Sequence, residues 1–239
     1  MKVLAIGNSF SQDATRYLHS IAKADGVDIK VVNLYIGGCS LETHYKNLSD
    51  DLSAYSLELN GEKTGRMISI KDALLMEEWD VVTLQQVSSL SPFIESFYPY
   101  INLLADYVHC YSKRAKIYVH RIWGYEDDSE RLANLNFASY EEMFSRIKES
   151  YEDAAKSIHA DGVIPAGDIV SRLLAAGLRN VHRDTFHLAY GKGRYAAGLI
   201  WYKALCGADV MKNSFCDFDE VIDAEEIELI KRLVNSIEL

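Results

Sequence analysis

Two stretches far apart in this chain carry residue types that, brought together, do acyl-transfer chemistry. Gly7-Asn8-Ser9-Phe10-Ser11 follows the first apolar run, and Asp184-Thr185-Phe186-His187 lies towards the other end. A serine hydroxyl is a weak nucleophile at its own pKa and needs a base within hydrogen-bond reach, itself oriented by a third group. Imidazole titrates near neutral pH, so it can take the proton and hand it back. An aspartate three residues ahead of that histidine suits the second ring nitrogen. Each half alone has an ordinary explanation. A serine after a strand often caps a helix, Asp184 could cap the helix that follows it, and His187 could be a satisfied structural histidine. Asp13 and Ser11 are available to cap the first helix, which leaves Ser9 free. The pairing points to covalent catalysis.

Residues so distant need a frame that brings them to one place. Short β-rich runs recur at Val3 to Ile6, Ile29 to Val32, Trp79 to Leu84, Ile117 to Val119 and Gly162 to Pro165. Helical patterns separate them at Asp13 to Ala24, Phe93 to Tyr111 and Tyr140 to His159. The last carries Tyr140, Met143, Phe144, Ile147, Tyr151, Ala154 and Ile158 on one stripe. Further helices are predicted over Gly167 to Ala176, Tyr190 to Leu205 and Ala224 to Ile237. Strand alternating with helix predicts right-handed βαβ units and a doubly covered, mostly parallel sheet of five strands. Leu57 to Gly61 alternates into an Asn-Gly turn, which predicts a small β-hairpin inserted before the third strand. In open α/β sheets ligands bind beyond the carboxyl ends of the strands. Ser9, Gly37-Gly38, Gln85-Gln86 and Trp123-Gly124-Tyr125 follow strands one to four. The Asp184/His187 loop must return to that edge.

In order along the chain, these residues resemble the SGNH (GDSL-like) hydrolase superfamily, and the overall pattern is similar to a poorly characterised bacterial branch with a Leu-Gln segment ending strand three. Gly7-Asn8-Ser9 stands where the family has its Gly-Asp-Ser-like nucleophile block. Gly38, with Gly37 as neighbour, stands where a glycine N–H faces the oxyanion, and Asp184 with His187 matches the Asp-x-x-His block. The third block departs: Leu84-Gln85-Gln86-Val87-Ser88-Ser89 replaces Gly-x-Asn-Asp. A glutamine amide carries the same donors as asparagine on a longer stem. Strand alternation puts only one of Gln85 and Gln86 on the catalytic side, and Ser88 is a third candidate. The resemblance implies one SGNH hydrolase-like domain over residues 1–239, a flavodoxin-like three-layer α/β/α sandwich. It implies an esterase for small O-acyl, chiefly O-acetyl, esters of carbohydrates or other alcohols. Ser9, His187 and Asp184 would then be catalytic and the Ser9 and Gly38 N–H groups with a Gln amide would form the oxyanion hole, with no cofactor. Asn8, His44, Trp123 and Tyr125 are candidates for the substrate side, His44 and Asn8 also for loop support, Trp123 and Tyr125 also for core or rim.

Composition narrows the alternatives. The 239 residues are 49% hydrophobic, enough for a substantial core, with a formal charge of −10. That balance disfavours a general nucleic-acid binder, and no apolar run approaches the ~20 residues of a membrane span. The chain starts directly into a strand without a leader pattern, so the reading is cytoplasmic, with periplasm or secretion the alternative if a leader has been removed. Cys39, Cys110, Cys206 and Cys216 are scattered without a C-x-x-C pair and fit a reducing compartment. His182, Asp184 and His187 form a conceivable metal trio, but their spacing matches no zinc pattern. A phosphate-cradling loop at Gly7 to Ser11 lacks the Walker and dinucleotide fingerprints. The rival readings are therefore a non-catalytic binding protein of the same fold and a nucleotide-binding flavodoxin-like protein.

Overall fold

A computed structural model describes residues 1–239. The strands are β1 (Lys2–Gly7), β2 (Lys30–Tyr35), β3 (Tyr55–Leu59), β4 (Glu62–Ile68), β5 (Val81–Leu84), β6 (Lys116–His120) and β7 (Gly162–Ile164). They form one sheet in the order β4-β3-β2-β1-β5-β6-β7. β2, β1, β5, β6 and β7 run parallel, with Val3 opposite both Val31 and Val81. β1 and β5 are buried on both faces, as strands covered by two layers must be.

The expected five-stranded sheet is corrected to seven strands of mixed direction. The predicted hairpin does not stand apart: β3 pairs antiparallel with β2, Leu34 opposite Leu57, and β4 extends the sheet to its edge. Pairing satisfies the outer row of β2 peptide groups, which would otherwise be an open edge. The new edge is blunted by Glu62, Lys63 and Arg66, all exposed. Asn60 and Gly61 turn the hairpin with φ of 53° and 86°. A Cβ on Gly61 would stand 2.1 Å from the Arg16 carbonyl oxygen, so the turn admits only glycine.

The helices are α1 (Ser9–Thr15), α2 (Leu18–Ala24), α3 (Leu41–Ser49), α4 (Ile70–Leu75), α5 (Tyr100–Tyr111), α6 (Glu130–Asn134), α7 (Tyr140–Ser157), α8 (Ala166–Ala175), α9 (Lys192–Cys206) and α10 (Ala224–Asn235). α1, α2, α8 and α10 pack around α9, which is buried from Gly193 through Tyr202. α3, α4 and α5 form the other group. Two predicted helices are broken. The first splits into α1 and α2 where the Thr15 hydroxyl bonds back to the Ser11 carbonyl at 2.8 Å, a contact that bends helices. The second becomes a 3-10 turn at Ile94–Phe97 and then α5, because Pro99 has no N–H to give and disfavours helix before it. α7 begins in a Ser139/Glu142 cap: the Ser139 hydroxyl accepts the Glu142 N–H at 3.2 Å, and Glu142 reaches back to the Ala138 N–H at 2.7 Å. Its buried stripe puts the Tyr151 hydroxyl 3.0 Å from the Gln86 N–H, at the carboxyl end of β5. No helix is long and apolar enough to cross a membrane.

The sheet order places β2 on one side of β1 and β5 on the other. The chain therefore reverses its winding direction at β1/β5, the crevice where open α/β sheets bind ligands.

Candidate active site

Ser9 is the first residue of α1, directly after the central strand. The sequence offered Asp13 and Ser11 as caps for this helix, and neither serves. Asn8 does: its φ is −145° and its Oδ1 accepts the Phe10 N–H at 3.0 Å. The Asn8 amide donates to the Cys39 carbonyl at 3.0 Å, lashing the turn to the Gly37-Gly38 loop. With the Asn8 side chain so committed, the Ser9 hydroxyl turns outward and lies 2.8 Å from His187 Nε2. His187 Nδ1 in turn lies 2.7 Å from an Asp184 carboxylate oxygen, whose partner oxygen accepts the His187 backbone N–H at 2.7 Å. Partial burial pushes the Asp184 pKa up. The hydrogen bonds and charge of His187 outweigh it and hold the carboxyl below its ordinary value.

The loop carrying Asp184 and His187 is pinned along its length. Thr185 has a φ of 67°, a strained conformation for a β-branched residue. Its carbonyl accepts the Glu126 N–H at 2.8 Å, and its hydroxyl meets Ser129 Oγ at 2.9 Å. The Phe186 carbonyl accepts the Trp123 indole N–H at 2.7 Å, while that indole stacks on Phe10 with centroids 4.5 Å apart. From α1, one turn beyond Ser9, the fully buried Asp13 carboxylate accepts the Leu188 N–H at 3.0 Å, Arg183 at 3.0 Å and Arg194 Nε at 2.9 Å. Thus one face of one helix presents the nucleophile and anchors the loop that brings the imidazole to it. Asp13 is a residue the sequence reading assigned only a capping role. Its i, i+4 relation to Ser9 was the available signal.

A cavity of about 330 Å³ opens over these groups, lined by Ser9, Gly38, Ser88, Tyr125, Arg131 and His187 among others. Gly38 takes a φ of 66° there, which a side chain would resist. The Ser9 and Gly38 N–H groups have no protein acceptor. A larger groove of about 750 Å³ beneath Phe93 and Phe137 holds no nucleophile paired with a base.

The third block differs from expectation. Gln85 Nε2 donates to Asn8 Oδ1 at 2.8 Å, and Gln85 Oε1 accepts a hydrogen bond from the His120 Nδ1–H at 2.7 Å. Gln86 Oε1 accepts the Leu41 and Val87 N–H groups, while its amide donates to the Ser96 carbonyl at 2.8 Å and hydroxyl at 3.2 Å. Both glutamines are buried, and neither lines the cavity. Their amides form a crossbar joining the ends of β1, β5 and β6 to the glycine loop. Ser88 does line the cavity, and its oxygen accepts the Tyr125 hydroxyl at 2.8 Å, which leaves the serine's own proton to donate.

Two other candidates, His44 and Trp123, do not reach the cavity, because hydrogen bonding and burial hold them elsewhere. His44 is fully buried, 2.9 Å from the Tyr55 hydroxyl, and burial lowers its pKa to about 3. Trp123 is wholly enclosed, supporting the Phe186 carbonyl as described. Asn8 lines the cavity, its side chain held by the Phe10 N–H, the Cys39 carbonyl and the Gln85 amide. Tyr125 lines it as well. His182, the third member of the conceivable metal trio, turns to Glu126 at 2.7 Å.

With this geometry in view, the chain can be set beside known proteins. It is similar to a crystal structure of a DUF4886 family protein from Bacteroides uniformis, with a TM-score of 0.92 and 32% identity over 98% of this chain and 93% of that one. A protein from Parabacteroides merdae described as a GDSL-like lipase superposes with a TM-score of 0.55 at 14% identity, covering 85% and 94%. The family 3 carbohydrate esterase of Clostridium thermocellum gives 0.52 at 14% identity, covering 87% and 96%. These two likenesses are of fold: an α/β architecture shared with GDSL-like hydrolases. No curated protein matches. Residues 2–234 match the domain of unknown function DUF4886, and the chain belongs to that family.

Proposed function

We propose that this protein is a serine hydrolase of the SGNH type that cleaves small O-acyl esters through an acyl-enzyme. The single observation carrying the reading is the relay of 2.8 Å and 2.7 Å from Ser9 Oγ through the His187 imidazole to Asp184, at the mouth of a cavity. His187 takes the Ser9 proton as the oxygen attacks the ester carbonyl. The Ser9 and Gly38 N–H groups and the Ser88 hydroxyl stabilise the tetrahedral oxyanion, and the ionised Asp184 stabilises the imidazolium. His187 then protonates the leaving alkoxide, and water repeats the cycle on the acyl-enzyme. A short acyl group and one sugar-sized alcohol fit a cavity of about 330 Å³. An O-acetyl ester of a carbohydrate is therefore the favoured substrate.

Hydrolysis of p-nitrophenyl acetate tests this. The expected result is turnover that falls at least ~10³-fold in both Ser9→Ala and His187→Ala. Equal rates in wild type and both variants would sink it. A second reading, a non-catalytic ester-binding protein of the same fold, is favoured by one feature: both glutamine amides are spent on structure. It predicts ligand-induced stabilisation with no Ser9-dependent turnover.

A further inference from the structure

Among the side chains lining the cavity, the one permanent charge is a cation. Arg131, on α6, lies with its guanidinium 4.2 Å from the centroid of Phe186. The Phe186 ring is itself 4.0 Å from that of His187. Arg131 is exposed, forms no ion pair and donates no side-chain hydrogen bond within the protein. The acids near it in sequence face elsewhere. Glu126 engages His182 at 2.7 Å, and Asp127 accepts the Tyr140 N–H at 2.6 Å. Asp128 and Glu130 are exposed without pairing to it. In a chain with a formal charge of −10, a guanidinium without an ion-pair partner, held over the ring that flanks the catalytic imidazole, stands out.

Position decides what such a group would read. The imidazole must deliver its proton to the leaving oxygen, so the alcohol half of the ester lies on the His187 side. Arg131 stands on that side, beyond Phe186, whereas Gly38 and the free N–H groups stand at the carbonyl oxygen. A guanidinium fork matches a carboxylate with two parallel hydrogen bonds, and its stack on an aromatic ring holds the fork in place. We infer that Arg131 selects esters whose alcohol carries an anionic group, a carboxylate in the first instance, so that the natural substrate is an O-acylated acidic sugar or hydroxy acid. This rests on the hydrolase reading above. The chemistry is unchanged: the Ser9 Oγ–acyl carbon bond forms, the ester C–O bond breaks, and the acidic alcohol leaves with the proton from His187. Water then releases the acid and restores Ser9.

The test compares mono-O-acetylated methyl glucuronide with the matching methyl glucoside ester, and p-nitrophenyl acetate, on wild type, Arg131→Gln, Arg131→Lys and Ser9→Ala. Wild type is expected to prefer the glucuronide ester by about tenfold or more in kcat/KM, the magnitude of one charge-assisted contact. Arg131→Gln should collapse that ratio towards unity, and Arg131→Lys should keep part of it. The preference should also shrink on raising salt from about 0.05 to 0.5 M, since the site is open to screening. A ratio near unity in wild type, or one that survives Arg131→Gln, overturns the inference while leaving the hydrolase standing. No Ser9-dependent turnover of any of the three esters removes both together.

Discussion

At the scale of single residues, the site separates groups that touch the reacting atoms from groups that hold them. Ser88 belongs with the former in the proposed mechanism, because Tyr125 donates to its oxygen and leaves its proton free. Ser88→Ala is therefore expected to lower kcat about 10²-fold, as removal of one oxyanion donor does, beyond a stability loss of about 1–3 kcal/mol from leaving the buried Tyr125 hydroxyl without its acceptor. Gln85 belongs with the latter. Its side chain bridges His120 and Asn8, so Gln85→Leu leaves a buried imidazole N–H and part of the nucleophile turn without partners. A loss of about 1–3 kcal/mol in urea unfolding is expected, alongside any fall in rate. Unaltered stability with a purely kinetic defect would instead return Gln85 to the oxyanion.

At the scale of elements, the arrangement depends on α1 clasping a loop some 170 residues away in sequence. Asp13 to Arg183 spans 170 positions, and the Ser9 to His187 contact 178. Asp13→Ala strands two guanidinium groups and the Leu188 N–H beside a buried void. The cost should be about 3–5 kcal/mol in denaturant unfolding, as for one partner removed from a buried ionic cluster. The hairpin makes the other element-scale prediction. Gly61→Ala forces a Cβ against the Arg16 carbonyl at a positive φ, and should destabilise by more than ~1 kcal/mol while sparing catalysis. A neutral Gly61→Ala in thermal unfolding would mean that the hairpin is not held against α1 in solution.

For the molecule as a whole, two histidines set the response to acid. Burial holds His44 and His120 at pKa values of about 3, so each is neutral when folded but takes a proton once unfolded below its ordinary value near 6.5. Between about pH 6.5 and 3 the unfolded chain binds more protons, so stability rises with pH across that window and levels off above it. Each imidazole adds a slope approaching 1.36 kcal/mol per pH unit, about 2.7 for the pair. The lowered Asp184 pKa acts in the same direction, its contribution present at neutral pH and lost on acidification. Urea titrations at pH 7, 6 and 5 should show this decline. A flat profile would place both rings in contact with water.

Local pattern and resemblance already held the parallel core, the seat of Ser9 after β1, and the Asp-x-x-His block, because strand alternation, helical stripes and short motifs are properties of neighbouring residues. Those three side chains do stand together in the structure. Several things were not legible. Leu57 to Gly61 read as a hairpin from its alternation and Asn-Gly turn, but only β2 with an unpaired edge made it part of the main sheet. Gln85 and Gln86 have the donors an oxyanion needs, yet His120, Asn8, Leu41 and Ser96 bind them first. His44 and Trp123 read as candidates for the substrate side until α3 and the Phe10 stack enclosed them. The direction of a side chain at a strand end, and whether its hydrogen-bonding capacity is already used, is settled by partners tens to hundreds of residues away. Periodicity reports which face is buried. Which polar group remains free to meet a substrate depends on every other polar group within reach, and that accounting closes only in three dimensions.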